Sequence, residues 1–296
     1  MATTIPKPNH HSPFQNGRFL RKLQRGLIYA LLIGGSIVIM IPIFWMLSTS
    51  IKPVMEVFAI PPIWIKIPPQ LENYQQALFG YSPSFAVFIK NTLIIELLAL
   101  PGIVLTSALA GYSFSRLRWP GRNFTFGLLL ATLMLPAAVT LVPIFIGWAR
   151  LGAIDTFAPL VIPGWFGGGV FNIFLFRQFF LTIPRELEDA AKIDGASHFR
   201  IFWTIMLPLV KPALAVVSIF TFIGLWNDFF GPIIYLNSNA NYTVSLGLAL
   251  FKSQYLTKWN LMMAATVISI IPLIILFAVF QKQILEGANL TSGLKG

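Results

Sequence analysis

No cysteine occurs in the 296-residue chain, so disulfides, thiolate metal sites and cysteine nucleophiles are excluded. Charge is scarce too: charged side chains make up 10% of the residues, against about 25% in a soluble domain. Water is therefore not the main solvent of this chain. The three histidines, His10, His11 and His198, show no metal-ligand spacing, so no metal is expected. There is no glycine-rich phosphate loop of the GxxxxGK[ST] type, so any ATP and magnesium used must be bound by another chain. A net charge of +11 would suit nucleic acid, but the basic residues lie between apolar runs and not in one patch. No nucleic-acid partner is expected.

What the chain does contain is long apolar runs bounded by charge. A charge near the bilayer centre costs about 2.5–3.5 kcal/mol even on lenient insertion scales, so gaps between charges are candidate spans. Residues 26–51 are uncharged, 91–115 are interrupted only by Glu96, and 123–149 are uncharged. Residues 156–176 and 259–281 are uncharged, and 212–251 are interrupted only by Asp228. The last of these gaps contains NSNANYT, Asn237 to Thr243, and so reads as one span plus a polar outer loop. The expected fold is an all-α integral membrane protein with six transmembrane helices and lipid as its surroundings.

Fifteen of the 21 Lys and Arg residues fall on the side that holds both termini and six on the other, which predicts cytoplasmic termini in a cell or inner membrane. Residues 1–25 read as a disordered cytoplasmic tail, residues 26–296 as the transmembrane domain, and residues 282–296 as a C-terminal cytoplasmic tail. Proline recurs within the spans, at Pro42, Pro101, Pro136, Pro143, Pro163, Pro232 and Pro272, and predicts kinked helices.

The loop from residue 184 to 208 is the most informative segment. Six charges fall in the ten residues Arg185 to Asp194, so the segment lies outside the bilayer. Pro184 suits a first helical turn, Glu186, Glu188 and Asp189 complement a helix N-terminus, and Gly195 supplies the stop. Leu187, Ala191 and Asp194 share one helical face, and Ala190 and Ala191 are small enough for close approach to a partner's groove. A second helix is expected from Ser197 to about Leu207, with Phe199, Phe202 and Met206 as its apolar stripe, before Pro208 and Pro212 begin the fifth span.

The string Asp189-Ala190-Ala191, then Gly195, then Leu207-Pro208 resembles the Glu-Ala-Ala motif in the coupling loop of permease subunits of binding-protein-dependent ABC importers. Here Asp189 stands where that family usually has Glu. Four further stretches carry the resemblance: AGYSFSRLRWPGR (Ala110–Arg122), FGGGVFNIFLFRQFFLTIP (Phe166–Pro184), WNDFFGPIIYL (Trp226–Leu236) and the end of the chain from Gln281. They look most similar to the carbohydrate-uptake branch, on the side of the maltose-type second permease. The resemblance implies the type I ABC importer permease fold and a permease subunit moving a sugar or related solute. It implies a second permease as heterodimer partner, two ATP-binding subunits and an extracytoplasmic solute-binding protein. By the same resemblance Glu188, Asp189, Ala190, Ala191, Asp194, Gly195, Ala196 and Pro208 serve coupling to the ATPase. The segment beginning at Asn237 and Ser238 would reach toward the binding protein, and the C-terminal tail would run along the ATPase interface.

Polar and aromatic groups inside the spans supply a second expected site, the solute pathway: Trp165, Phe166, Gly168, Asn227 and Asp228. Asp228 also has a plain reading as a helix-end or interhelical hydrogen bond with Asn227 nearby, and Glu96 one as a local partner of Lys90 and Asn91. A secondary, ion-coupled transporter is the alternative class. It predicts repeated halves and several buried acids, whereas this chain has two acids within its spans and no visible repeat. A membrane enzyme lacks a nucleophile or metal constellation to build on.

Overall fold

The computed structural model describes residues 14–253 and 258–292, and among them every regular element is helical. Helix α1 (Phe14–Ser50) is followed by α2 (Glu72–Phe79), α3 (Phe85–Arg116), α4 (Arg122–Ala131) and α5 (Ala137–Arg150). Then come α6 (Ala158–Val161), α7 (Val170–Thr182), α8 (Glu186–Ile193), α9 (His198–Ile201) and α10 (Leu207–Leu209). Helices α11 (Lys211–Trp226), α12 (Phe230–Tyr235), α13 (Val244–Ser253) and α14 (Trp259–Ser292) complete the chain.

Four stretches are long and apolar enough to cross a membrane: Arg21–Ser50, Phe85–Arg116, Ala158–Thr182 and Trp259–Gln283. Two bent pairs bring the number of candidate spans to six. In the first pair Leu135 is extended ahead of Pro136 and separates α4 from α5, because proline disfavours the helical region for the residue before it. In the second, His198–Leu209 and Lys211–Trp226 meet at 79°, with Val210 as the hinge between Pro208 and Pro212.

Three boundaries differ from the sequence expectation. Residues 14–25, read as tail, are helical and continuous with the first span; residues 1–13 lie outside the described set. The second span begins at Phe85 and takes in Lys90. Helix α14 runs on to Ser292, so residues 282–292 are an extension of the last span.

Helix α3 is the central element, packed against α7, α11 and α13. Apolar transfer does not drive helix association in lipid, so close packing of small residues carries it. Gly168 shows how close the approach is. A Cβ there would lie 2.0 Å from Ser107 Oγ and 2.5 Å from the Ile103 carbonyl oxygen, and its φ is +57°. Only glycine suits both the left-handed backbone and that contact.

The interior forms two apolar clusters. One gathers Ala108, Tyr112, Phe176, Phe180, Ala191, Ile201, Phe202, Met206 and Ala213 around the end of the molecule that carries α8. The other gathers Ala77, Phe85, Phe88, Trp226, Val244, Phe251, Leu261 and Ala264 at the opposite end.

Candidate coupling site

Helix α8 is two turns long. Its first turn carries Glu186, Glu188 and Asp189, which suit the positive end of the dipole. It stops in a Schellman motif: the Ala196 amide donates to the Ala191 carbonyl at 2.9 Å and the Gly195 amide to the Lys192 carbonyl at 3.0 Å. Gly195 has φ +80° and open space around it, so backbone conformation rather than crowding selects glycine there.

The buried face of α8 consists of Glu188 and Ala191, 5% and 8% exposed. Glu188 approaches Arg116 at 3.8 Å, a Coulomb contact too long for a hydrogen bond. The Arg116 guanidinium in turn donates to the carbonyls of Phe180 and Ile183. One buried cation therefore ties the ends of α3 and α7 to α8. Asp189, Ala190, Asp194 and Gly195 face outward, Ala196 is half-buried, and Asp189 pairs with Lys192 at the surface.

This corrects the expected docking face. Leu187, Ala191 and Asp194 do not act together, because Ala191 is packed inside the chain's own core while Leu187 and Asp194 are exposed. The outward surface is Asp189, Ala190, Asp194 and Gly195. In the second helix, Ser197 Oγ accepts from the Arg200 amide at 3.3 Å as an N-cap. Its buried stripe is Ile201, Phe202 and Met206, whereas Phe199 is 67% exposed. Pro208 is exposed and sits one residue before the turn of Leu209–Val210.

Each expected pathway residue has its own local setting. Trp165 donates its indole N–H to the Leu98 carbonyl at 2.9 Å and lies flat against Gly102, while Phe166 is 85% exposed. Asn227 donates to the Ile223 carbonyl at 2.8 Å. Asp228 Oδ1 accepts from the amides of Phe230 and Gly231 at 3.0 and 3.1 Å, the helix-end role of its plain reading. Among the described residues no hydrogen bond joins Asn227 or Asp228 to Trp165, Phe166 or Gly168. Glu96 is buried, and neither carboxylate oxygen has a hydrogen-bond partner among the described residues. Its expected partner Asn91 instead donates to the carbonyls of Ala240 and Tyr242 at 2.8 and 2.9 Å.

Sequence reasoning missed two residues that organise the molecule. Arg116 enters the sequence analysis only as one of the charges that set the topology, and nothing in its spacing points to burial. Asp155 adopts φ 63° and grips the polar loop. Its Oδ1 accepts from the amides of Asn237 and Ser238, both at 2.9 Å, and its Oδ2 from the Ser238 hydroxyl. These bonds, the Ser238 hydroxyl foremost, hold the Asp155 carboxyl down at about 2.

Helix α8 thus lies between two candidate spans of an all-helical fold. Residues 102–287 match the family described as binding-protein-dependent transport system inner membrane component, and the chain belongs to that family. It is similar to a diacetylchitobiose uptake system permease of Streptomyces coelicolor, 30% identical over 86% of this chain and 84% of the relative. It is also 33% identical to an arabinooligosaccharides transport system permease of Bacillus subtilis, over 88% of this chain and 92% of that one. The fold matches a bacterial ABC transporter involved in the import of the polysaccharide alginate, with TM-score 0.73, 24% identity and coverage of 93% and 99% of the two chains. The chain is thus a permease subunit of an ABC importer, all-helical as expected, with four candidate spans that become six when each bent pair is taken as one.

Proposed function

We propose that the permease moves an oligosaccharide or related solute into the cell, and that α8 receives the force for it from a separate ATPase. The single observation that carries this is the division of α8 into two faces. Glu188 and Ala191 bind it to α3 and α7, leaving Asp189, Ala190, Asp194 and Gly195 as an outward surface for a partner's groove. A helix fastened on one face and free on the other transmits a push to the spans instead of yielding to it. ATP can drive the switch only through contacts that differ between the two states, and this surface is the place for them.

The partners are a second permease, two ATPase subunits that hold ATP and magnesium, and an extracytoplasmic binding protein that meets the loop at Asn237 and Ser238. The excess of Lys and Arg on the α8 side puts both termini in the cytoplasm. The relatives' oligosaccharide cargo supports a sugar as solute. The test is co-purification of the complex carrying Ala190→Arg or Asp189→Arg, both exposed and outside the core. The permease pair should assemble normally while binding-protein-stimulated ATP hydrolysis falls at least tenfold. Unchanged hydrolysis in both variants would remove α8 from the coupling path.

A further inference from the structure

Between α3 and α4 the chain turns around a polar cavity of about 290 Å³ lined by Arg118, Trp119, Gly121, Arg122, Asn123 and Phe124. Arg118 is exposed and Arg122 half-buried, and Arg177 on α7 lies near enough for its charge to repel that of Arg122. The ion pairs found among the described residues are Lys66–Glu56, Arg116–Glu188 and Lys192–Asp189, so no acid compensates these three guanidiniums. Arg122 donates to the Leu117 carbonyl at 3.0 Å, and Arg177 stacks over Phe126 at 4.4 Å. Arg118 makes no hydrogen bond to the described residues. The first turn of α4 opens on the same cavity without a side-chain cap, adding the positive end of the helix dipole, although the Arg122 amide itself donates to the Trp119 carbonyl at 3.4 Å. Such a gathering of like charge is relieved by an anion with several acceptor oxygens.

The surroundings say which anion. Directly beyond the cavity the surface turns apolar, with Phe124 and Leu128 72% and 53% exposed along α4. Trp119 stands half-buried at the boundary, its indole N–H 3.2 Å from Ser113 Oγ, in the manner of an interfacial aromatic. A free phosphate would use only the cavity, whereas a phospholipid would use both, with its phosphate among the arginines and an acyl chain along Phe124 and Leu128. We propose that this cavity binds the phosphate of an anionic phospholipid headgroup. Only the choice of the cytoplasmic leaflet rests on the topology proposed above.

The test is native mass spectrometry of the intact complex in detergent, where lipid retention does not depend on leaflet, with phosphatidylglycerol or phosphatidylcholine supplied. One phosphatidylglycerol should be retained per chain in preference to phosphatidylcholine, and millimolar inorganic phosphate should not displace it. Arg118→Gln should weaken retention about fivefold, and Arg118→Gln with Arg122→Gln about thirtyfold. Arg122→Lys keeps the charge without the Leu117 bond and should retain most of the lipid. Because Arg118 is exposed and makes no hydrogen bond to the described residues, its single variant decides the question even if changes at Arg122 disturb the turn. Retention unaltered by Arg118→Gln, equal retention of phosphatidylcholine, or displacement by phosphate would each overturn the proposal. Stimulated ATP hydrolysis in the same preparations reads the coupling proposal separately.

Discussion

At the end that carries α8, large apolar side chains close around one ion pair, whereas at the opposite end short polar side chains grip backbone carbonyls and amides. Phe176, Phe180, Phe202 and Tyr112 surround the first. At the second, Asn73 donates to the carbonyls of Ser50 and Lys52, both at 2.8 Å, and accepts from Asn260. Nearby, Thr92 Oγ1 accepts from the Val244 amide at 2.9 Å, and Asp155 holds the 237–241 loop. Close-packed rings transmit displacement because they have little free volume, so a push on α8 should carry to α3 and α7. The polar grips tie loops to α2, to α3 and to one another, and depend on individual donors and acceptors. The first end should therefore answer to changes of volume and buried charge, and the second to changes of hydrogen bonding and protonation.

The comparison is broken most forcefully at Glu188. Glu188→Ala removes the counter-charge of the buried Arg116 guanidinium, which keeps its bonds to Phe180 and Ile183, and should cost about 3 kcal/mol, read as a lowered unfolding temperature of the solubilised chain. Replacing both partners, Arg116→Met with Glu188→Leu, should recover much of that loss. An unfolding temperature untouched by Glu188→Ala would mean that apolar packing alone holds this end.

A smaller effect separates two adjacent alanines. Ala191→Leu overfills the core and should destabilise by about 1–3 kcal/mol, while Ala190→Leu, on the exposed face, should stay within about 0.5 kcal/mol. Equal losses in the same thermal assay would show that the two faces of α8 are not distinct.

The smallest effect lies at the opposite end and sharpens the contrast through pH. The Asp155 carboxyl sits at about 2 against an ordinary value of 3.8. Its contribution is fully present above the unfolded value and is lost as pH falls from about 4 toward 2. The stability gap between the wild type and Asp155→Asn should be constant above pH 4 and close below it. A gap that persists at pH 2 would assign the hold to geometry and not to charge.

Much of the α8 region was legible because its signals are local. Pro184, the acidic first turn and Gly195 specify a short helix within ten or so residues, and the structure returns it as Glu186–Ile193. The direction of its faces was not legible. Helical spacing groups Leu187 with Ala191 and Asp194, but only the position of Arg116, at the end of a helix 72 residues earlier, turns Glu188 and Ala191 inward. The local bonds of the pathway residues were not legible either, since Asn227 and Asp228 bond to nearby backbone groups, a use that composition does not distinguish from solute contact.

By itself the sequence determined the membrane setting, the places of the apolar runs and the short charged helix between two of them, because apolar run length, charge spacing and helix stop signals act within a single segment. Only the tertiary structure decided which groups are buried together. Arg116 meets Glu188, Gly168 meets Ser107 and Asp155 meets Ser238 across separations at which side-chain spacing along the chain carries no information. Such contacts are set by how the helices cross.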